Sequence, residues 1–113
     1  VSENRPEWMI SDLSIMLSGG VTVPAYTTYT ERDYEYIIDD CTPAIIIISN
    51  ETQYKNLKNI ILKKNFIKKI IFFENMKNIN GGLNLNMHDI FKKDKCNNQN
   101  FLNLKIQTMQ LIM

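Results

Sequence analysis

Pro43-Ala44-Ile45-Ile46-Ile47-Ile48-Ser49-Asn50 is the stretch that decides the fold. Pro43 has no backbone N–H and ends any helix that precedes it. Ala44 to Ile48 is then continuously apolar rather than alternating, and its isoleucines are β-branched, which suits a pleated strand. A strand apolar on both sides is buried on both sides. That is the condition of a strand in a parallel sheet with helices above and below. Asn50, with Gln53 three residues on, marks the start of the next helix.

Working outward, the flanking segments read as helices. Upstream, Tyr34, Ile37, Ile38 and Cys41 recur at i, i+3, i+4 and i+7, one apolar stripe of a short helix. Thr30 suits its N-cap, and Asp33 completes an approximate capping box. Downstream, Tyr54, Leu57, Ile60 and Ile61 form a second stripe, with Lys55, Lys58, Lys63 and Lys64 on the wet side. Ile70 to Phe73 reads as the following strand.

Nearer the N-terminus, Val21-Thr22-Val23 is a short strand closed by Pro24. Tyr26-Thr27-Thr28-Tyr29 makes a polar, aromatic loop after it. Arg5 to Ser18 reads as a helix, with Pro6 in the first turn and Glu7 at the positive end of the dipole. Its Trp8, Met9, Leu13, Met16 and Leu17 are expected to face a core. Gly19-Gly20 ends it through a left-handed cap.

The order is helix, strand, helix, strand, helix, strand. It predicts an α/β fold, a partial layered αβα unit with a largely parallel sheet. Residues 74 to 100, rich in Asn and Lys and holding Gly81-Gly82, are expected to form an exposed loop within that domain, with at most a short helix near Met87 to Phe91. Leu102 to Ile106 and Gln110 to Met113 are candidate further strands.

With 113 residues the chain is long enough for one small core. A formal net charge of +1 gives no reason to expect nucleic acid or an anionic membrane as partner. No apolar run approaches the roughly 18 residues a bilayer crossing needs. The polar opening Val1-Ser2-Glu3-Asn4-Arg5 has no signal-peptide pattern. Cys41 and Cys96 lack a CxxC spacing and read as ordinary thiols of a reducing cytoplasm.

Residue chemistry alone marks no active site. His88, the single histidine, has no nucleophile or second ligand beside it in sequence. Asp39 and Asp40 are adjacent on a helix and diverge by about 100°, so they do not converge on a proton or metal. The lysines of residues 55 to 69 lie opposite an apolar stripe and read as a solvated face. Gly19-Gly20 follows a helix, whereas a phosphate cradle precedes one. Neither GxGxxG nor GxxxxGK[ST] occurs.

One longer segment says more. Glu3-Asn4-Arg5-Pro6-Glu7-Trp8, followed by Asp12-Leu13-Ser14-Ile15-Met16-Leu17-Ser18-Gly19-Gly20-Val21-Thr22-Val23-Pro24-Ala25-Tyr26-Thr27-Thr28, resembles the start of the long-chain acyl-CoA synthetases of the adenylate-forming superfamily. The resemblance continues more loosely through Tyr36 to Cys41 and the Ile45 to Ile48 strand, covering residues 2 to 73. It implies the N-terminal part of the large AMP-binding domain. In such enzymes ATP and a fatty acid give an acyl-adenylate and pyrophosphate with Mg²⁺ assisting, and CoA then takes the acyl group.

The resemblance also implies that the chain stops just before the phosphate-binding loop, so catalytic and metal-binding residues are expected downstream. A piece cut off at that point is expected to be inactive and poorly folded. The loop after the second strand in relatives lies near the CoA nucleotide, which makes Tyr26, Thr27 and Thr28 the candidate CoA contacts. A ring can stack on adenine and hydroxyls can meet phosphates. Peripheral association with a membrane is common for enzymes that take fatty acids, although no amphipathic anchor is visible. A stand-alone flavodoxin-like or receiver-like binding module is the alternative. Ser49-Asn50-Glu51 after the central strand lacks the acidic acceptor a receiver needs.

Overall fold

The computed structural model describes residues 1–76, 84–94 and 110–112. Its elements in chain order are α1 (Pro6–Leu17), β1 (Val21–Val23), α2 (Glu31–Cys41), β2 (Ile45–Ile48), α3 (Glu51–Ile61), β3 (Lys69–Phe72), β4 (Asn84–Asn86), α4 (Met87–Asp94) and β5 (Gln110–Ile112). The strands form one sheet in the order β1-β5-β2-β3-β4. Every neighbouring pair is parallel, with Ile45 opposite Lys69 and Ile48 opposite Phe72 across β2 and β3.

The side chains of β2 and β3 alternate across the sheet, as a pleat requires. Ile46 and Ile48 of β2 and Ile70 and Phe72 of β3 enter one core with Tyr34 and Ile38 of α2 and Leu57, Ile60 and Ile61 of α3. Ile45, Ile47, Ile71 and Phe73 turn the other way, onto Trp8 and Ile15 of α1. The unit is therefore helix on sheet on helix, and the isoleucine run is apolar throughout because both of its faces are covered. Each fully buried side chain of this size contributes about 1.5–3 kcal/mol.

Local chemistry fixes the helix ends. Thr30 Oγ1 accepts from the Asp33 N–H at 3.4 Å while the Asp33 carboxylate accepts from the Thr30 N–H at 2.9 Å, a complete capping box. Asn50 Oδ1 accepts from the Gln53 N–H at 3.0 Å and starts α3. At the end of α1, the Gly20 N–H reaches the Ile15 carbonyl at 2.9 Å and the Gly19 N–H reaches Met16 at 3.0 Å. With Gly19 at φ +79°, this is a Schellman closure. Thr42 ends α2 at φ 44°, a left-handed conformation unfavourable for a β-branched residue, before Pro43 turns the chain into β2.

Two expectations need correction. Met9, Leu13, Met16 and Leu17 of α1 do not reach a core; they are exposed, and the residues facing the sheet are Trp8, Ser11 and Ile15. Lys64 is not on the wet side: its side chain is largely covered and pairs with Asp39 at 2.5 Å, tying α3 to α2. Within residues 74 to 100, the described residues hold β4 and an α4 that runs on to Asp94. The candidate strand Leu102 to Ile106 lies outside the described residues. No helix among the described residues is long and apolar enough to cross a membrane.

Candidate functional site

In an open parallel sheet, ligands gather beyond the carboxyl ends of the strands, where the chain leaves each strand for a helix. Here that edge is built from the segments after β1, β2, β3 and β4, together with Ser2 to Arg5.

The segment after β1 carries the three predicted contacts. Ala25 is buried and anchors it. The chain then turns, with the Tyr29 N–H on the Tyr26 carbonyl at 3.2 Å. The Tyr34 hydroxyl donates to that same carbonyl at 2.7 Å and fastens the turn to α2. Burial raises the Tyr34 hydroxyl above its ordinary pKa, so it stays protonated and able to donate. The Tyr26 and Tyr29 rings meet edge to face at 5.5 Å, and Tyr29 tilts against Tyr34 at 5.8 Å.

Tyr26 is 66% exposed on this support. Thr27 is half-buried and Thr28 exposed. The backbone of the turn is thus held firmly while an aromatic face and two hydroxyls remain on the surface. That combination suits a planar base and a polar tail. The Asp33 carboxyl below it is held under its ordinary pKa by the hydroxyl and then the N–H of Thr30, so it stays charged as part of the cap.

The neighbouring segments form a polar rim. Asn50 donates to the Glu3 carboxylate at 3.1 Å, joining the N-terminal segment to the start of α3. The Glu3 carboxyl is lowered chiefly by its own backbone N–H, with the Asn50 side chain adding a smaller share. Arg5 bridges Glu7 at 3.4 Å and Glu74 at 3.0 Å, with its guanidinium 5.9 Å from the centre of the Phe73 ring. At the end of β4, Asn86 accepts from the Met76 N–H at 3.3 Å and donates to Asn75 and Asp89. The Glu3–Asn50 and Arg5–Glu74 pairs span 47 and 69 residues of sequence, so no local spacing announced them.

The other sequence candidates do not join this edge. His88 is exposed in the first turn of α4, and Asp39 is taken up by Lys64. Cys41 is a free thiol whose pKa burial raises, with Asp40 adding to the shift, which is the wrong direction for a nucleophile. Among the described residues no group of three or more His, Cys, Asp or Glu side chains converges on a metal position.

Comparison with known proteins agrees with this architecture. The profile of a family described as AMP-binding enzyme matches residues 1–93. A long-chain-fatty-acid–CoA ligase of Gallus gallus (ACSBG2) is 36% identical over 50 residues, 44% of this chain and 7% of the relative. Its counterpart in Xenopus laevis is 28% identical over 71 residues, 63% of this chain and 10% of the relative. The human ligase ACSBG1 is 25% identical over the same length, again 63% of this chain and 10% of the relative. The chain therefore spans a tenth or less of the length of these relatives. No solved structure matches significantly. With the family profile covering most of its length, and with the parallel αβα layering in place, the chain belongs to the AMP-binding enzyme family.

Proposed function

We propose that this chain is the N-terminal part of the AMP-binding domain of a fatty acid–CoA ligase. The family match over residues 1–93, with relatives named as long-chain-fatty-acid–CoA ligases, is the observation that carries the reading. The complete enzyme would join a fatty acid to AMP from ATP, releasing pyrophosphate, and then pass the acyl group to the thiol of CoA.

The part assigned to this chain is scaffold with one contact. The fixed turn after β1 offers Tyr26 for stacking on the adenine of CoA and Thr27 and Thr28 for its phosphates. Support comes from the exposed ring, the anchored backbone and the position at the carboxyl edge of the sheet. ATP and Mg²⁺ are assigned to residues outside this chain. Among the described residues no group of three or more His, Cys, Asp or Glu side chains could hold a metal ion. On this reading the 113-residue chain has no ligase activity by itself.

The experiment places Tyr26→Ala and Thr27→Ala in the complete ligase and follows each substrate separately. Loss of a base-stacking ring costs about 1–3 kcal/mol. The KM for CoA should therefore rise about ten-fold for Tyr26→Ala, with kcat and the KM for ATP nearly unchanged. An unchanged KM for CoA removes the CoA assignment while leaving the family in place.

A further inference from the structure

Tyr34 carries a hydroxyl in a place where a phenylalanine ring would fill nearly the same space. Its side chain is 2% exposed and belongs to the core cluster beneath α2. A hydroxyl buried this deeply costs stability unless it finds a partner. The partner is a single backbone carbonyl, that of Tyr26, eight residues earlier and 2.7 Å away. The Tyr29 N–H donates to the same carbonyl at 3.2 Å. Two donors occupy both of its lone pairs and fix the peptide plane that leads out of Tyr26.

We propose that Tyr34 is a positioning residue for CoA: its hydroxyl, acting through the Tyr26 carbonyl, presets the exposed Tyr26 ring for the adenine. The inference rests on the CoA reading of Tyr26. The two ends of the turn are held by other means, with Ala25 buried on one side and the Thr30–Asp33 capping box on the other. The Tyr34 hydroxyl therefore acts on the middle of the turn, at the residue whose ring is 66% exposed. The Tyr29 ring completes the support, edge to face with Tyr26 at 5.5 Å and tilted on Tyr34 at 5.8 Å. A ring whose backbone is already fixed gives up less freedom when a ligand stacks on it, and that saving appears as affinity.

The test is a double-mutant cycle in the complete ligase: Tyr34→Phe, Tyr26→Ala, the two together, and Thr30→Ala as a control on the same helix. Tyr34→Phe keeps the ring and removes the hydroxyl. It should raise the KM for CoA about five-fold, the worth of one hydrogen bond, with kcat and the KM values for ATP and fatty acid nearly unchanged. KM does not depend on how much of the enzyme is folded, so a lower yield leaves this reading intact. In the Tyr26→Ala background the same change should add less than about two-fold, because the ring it presets is gone. Thr30→Ala weakens the cap without touching the Tyr26 carbonyl and should leave the KM for CoA where it was. A KM for CoA that rises with Tyr26→Ala but not with Tyr34→Phe overturns this inference alone. So does an equal rise with Tyr34→Phe in both backgrounds, or an equal rise with Thr30→Ala, since either means general loosening of the fold. An unchanged KM for CoA with Tyr26→Ala removes the CoA reading and this inference with it.

Discussion

The two faces of the sheet are built from the same strands and finished to different degrees. On one face α2 and α3 close over Ile46, Ile48, Ile70 and Phe72, and all four of these side chains are buried. On the other, α1 alone lies over Ile45, Ile47, Ile71 and Phe73, and only Ile15 and Ile47 are buried. Strand composition does not explain the contrast, because isoleucines alternate evenly between the faces. The helices do. α2 and α3 each have one apolar stripe and a charged outer side, so one layer of contact satisfies them. α1 has two apolar sides, and the described residues cover one of them.

Matched substitutions test this contrast most directly, and the largest effect belongs to the closed face. Leu57 is 0% exposed beneath α3. Leu57→Ala should cost about 2–5 kcal/mol in urea unfolding of the complete domain, or abolish its transition altogether.

A smaller effect is expected at the entrance to α2. Thr30→Ala removes one half of the capping box and should cost about 1 kcal/mol by thermal unfolding. The smallest is the counterpart of the first. Leu17→Ala on α1, at a residue 88% exposed, should change stability by less than about 0.5 kcal/mol in this chain. A cost equal to that of Leu57→Ala would erase the difference between the faces.

How far the fold was legible follows the same division. The β2 run, the α2 and α3 stripes and both side-chain caps were readable because each is a local pattern whose partner lies within a few residues. The apolar periodicity of α1 was also readable, but periodicity states that a side is apolar and not what covers it. Met9, Leu13, Met16 and Leu17 were therefore given a core that the described residues do not supply. β4 escaped notice because Asn84-Leu85-Asn86 offers one apolar residue and takes its strand state from pairing with Ile70 to Phe72.

At the candidate site, Pro24 and the following tyrosines showed where the chain leaves β1. The Tyr34 anchor and the Arg5–Glu74 and Glu3–Asn50 pairs depend on the folded sheet and leave no mark in local spacing.

The strand order carries a consequence for how the chain assembles. Among the described residues β1 meets the rest of the sheet through β5 alone, pairing Val21 with Gln110. The β2–α3–β3 unit closes over a short loop, and α2 docks on it from the preceding segment, so this half has low contact order and can form early. β1 must wait for almost the last residues described and bears the entropy of closing that long loop. Of the strands described, β1 leaves the ribosome before the others and is thus among the last to be fixed in the sheet.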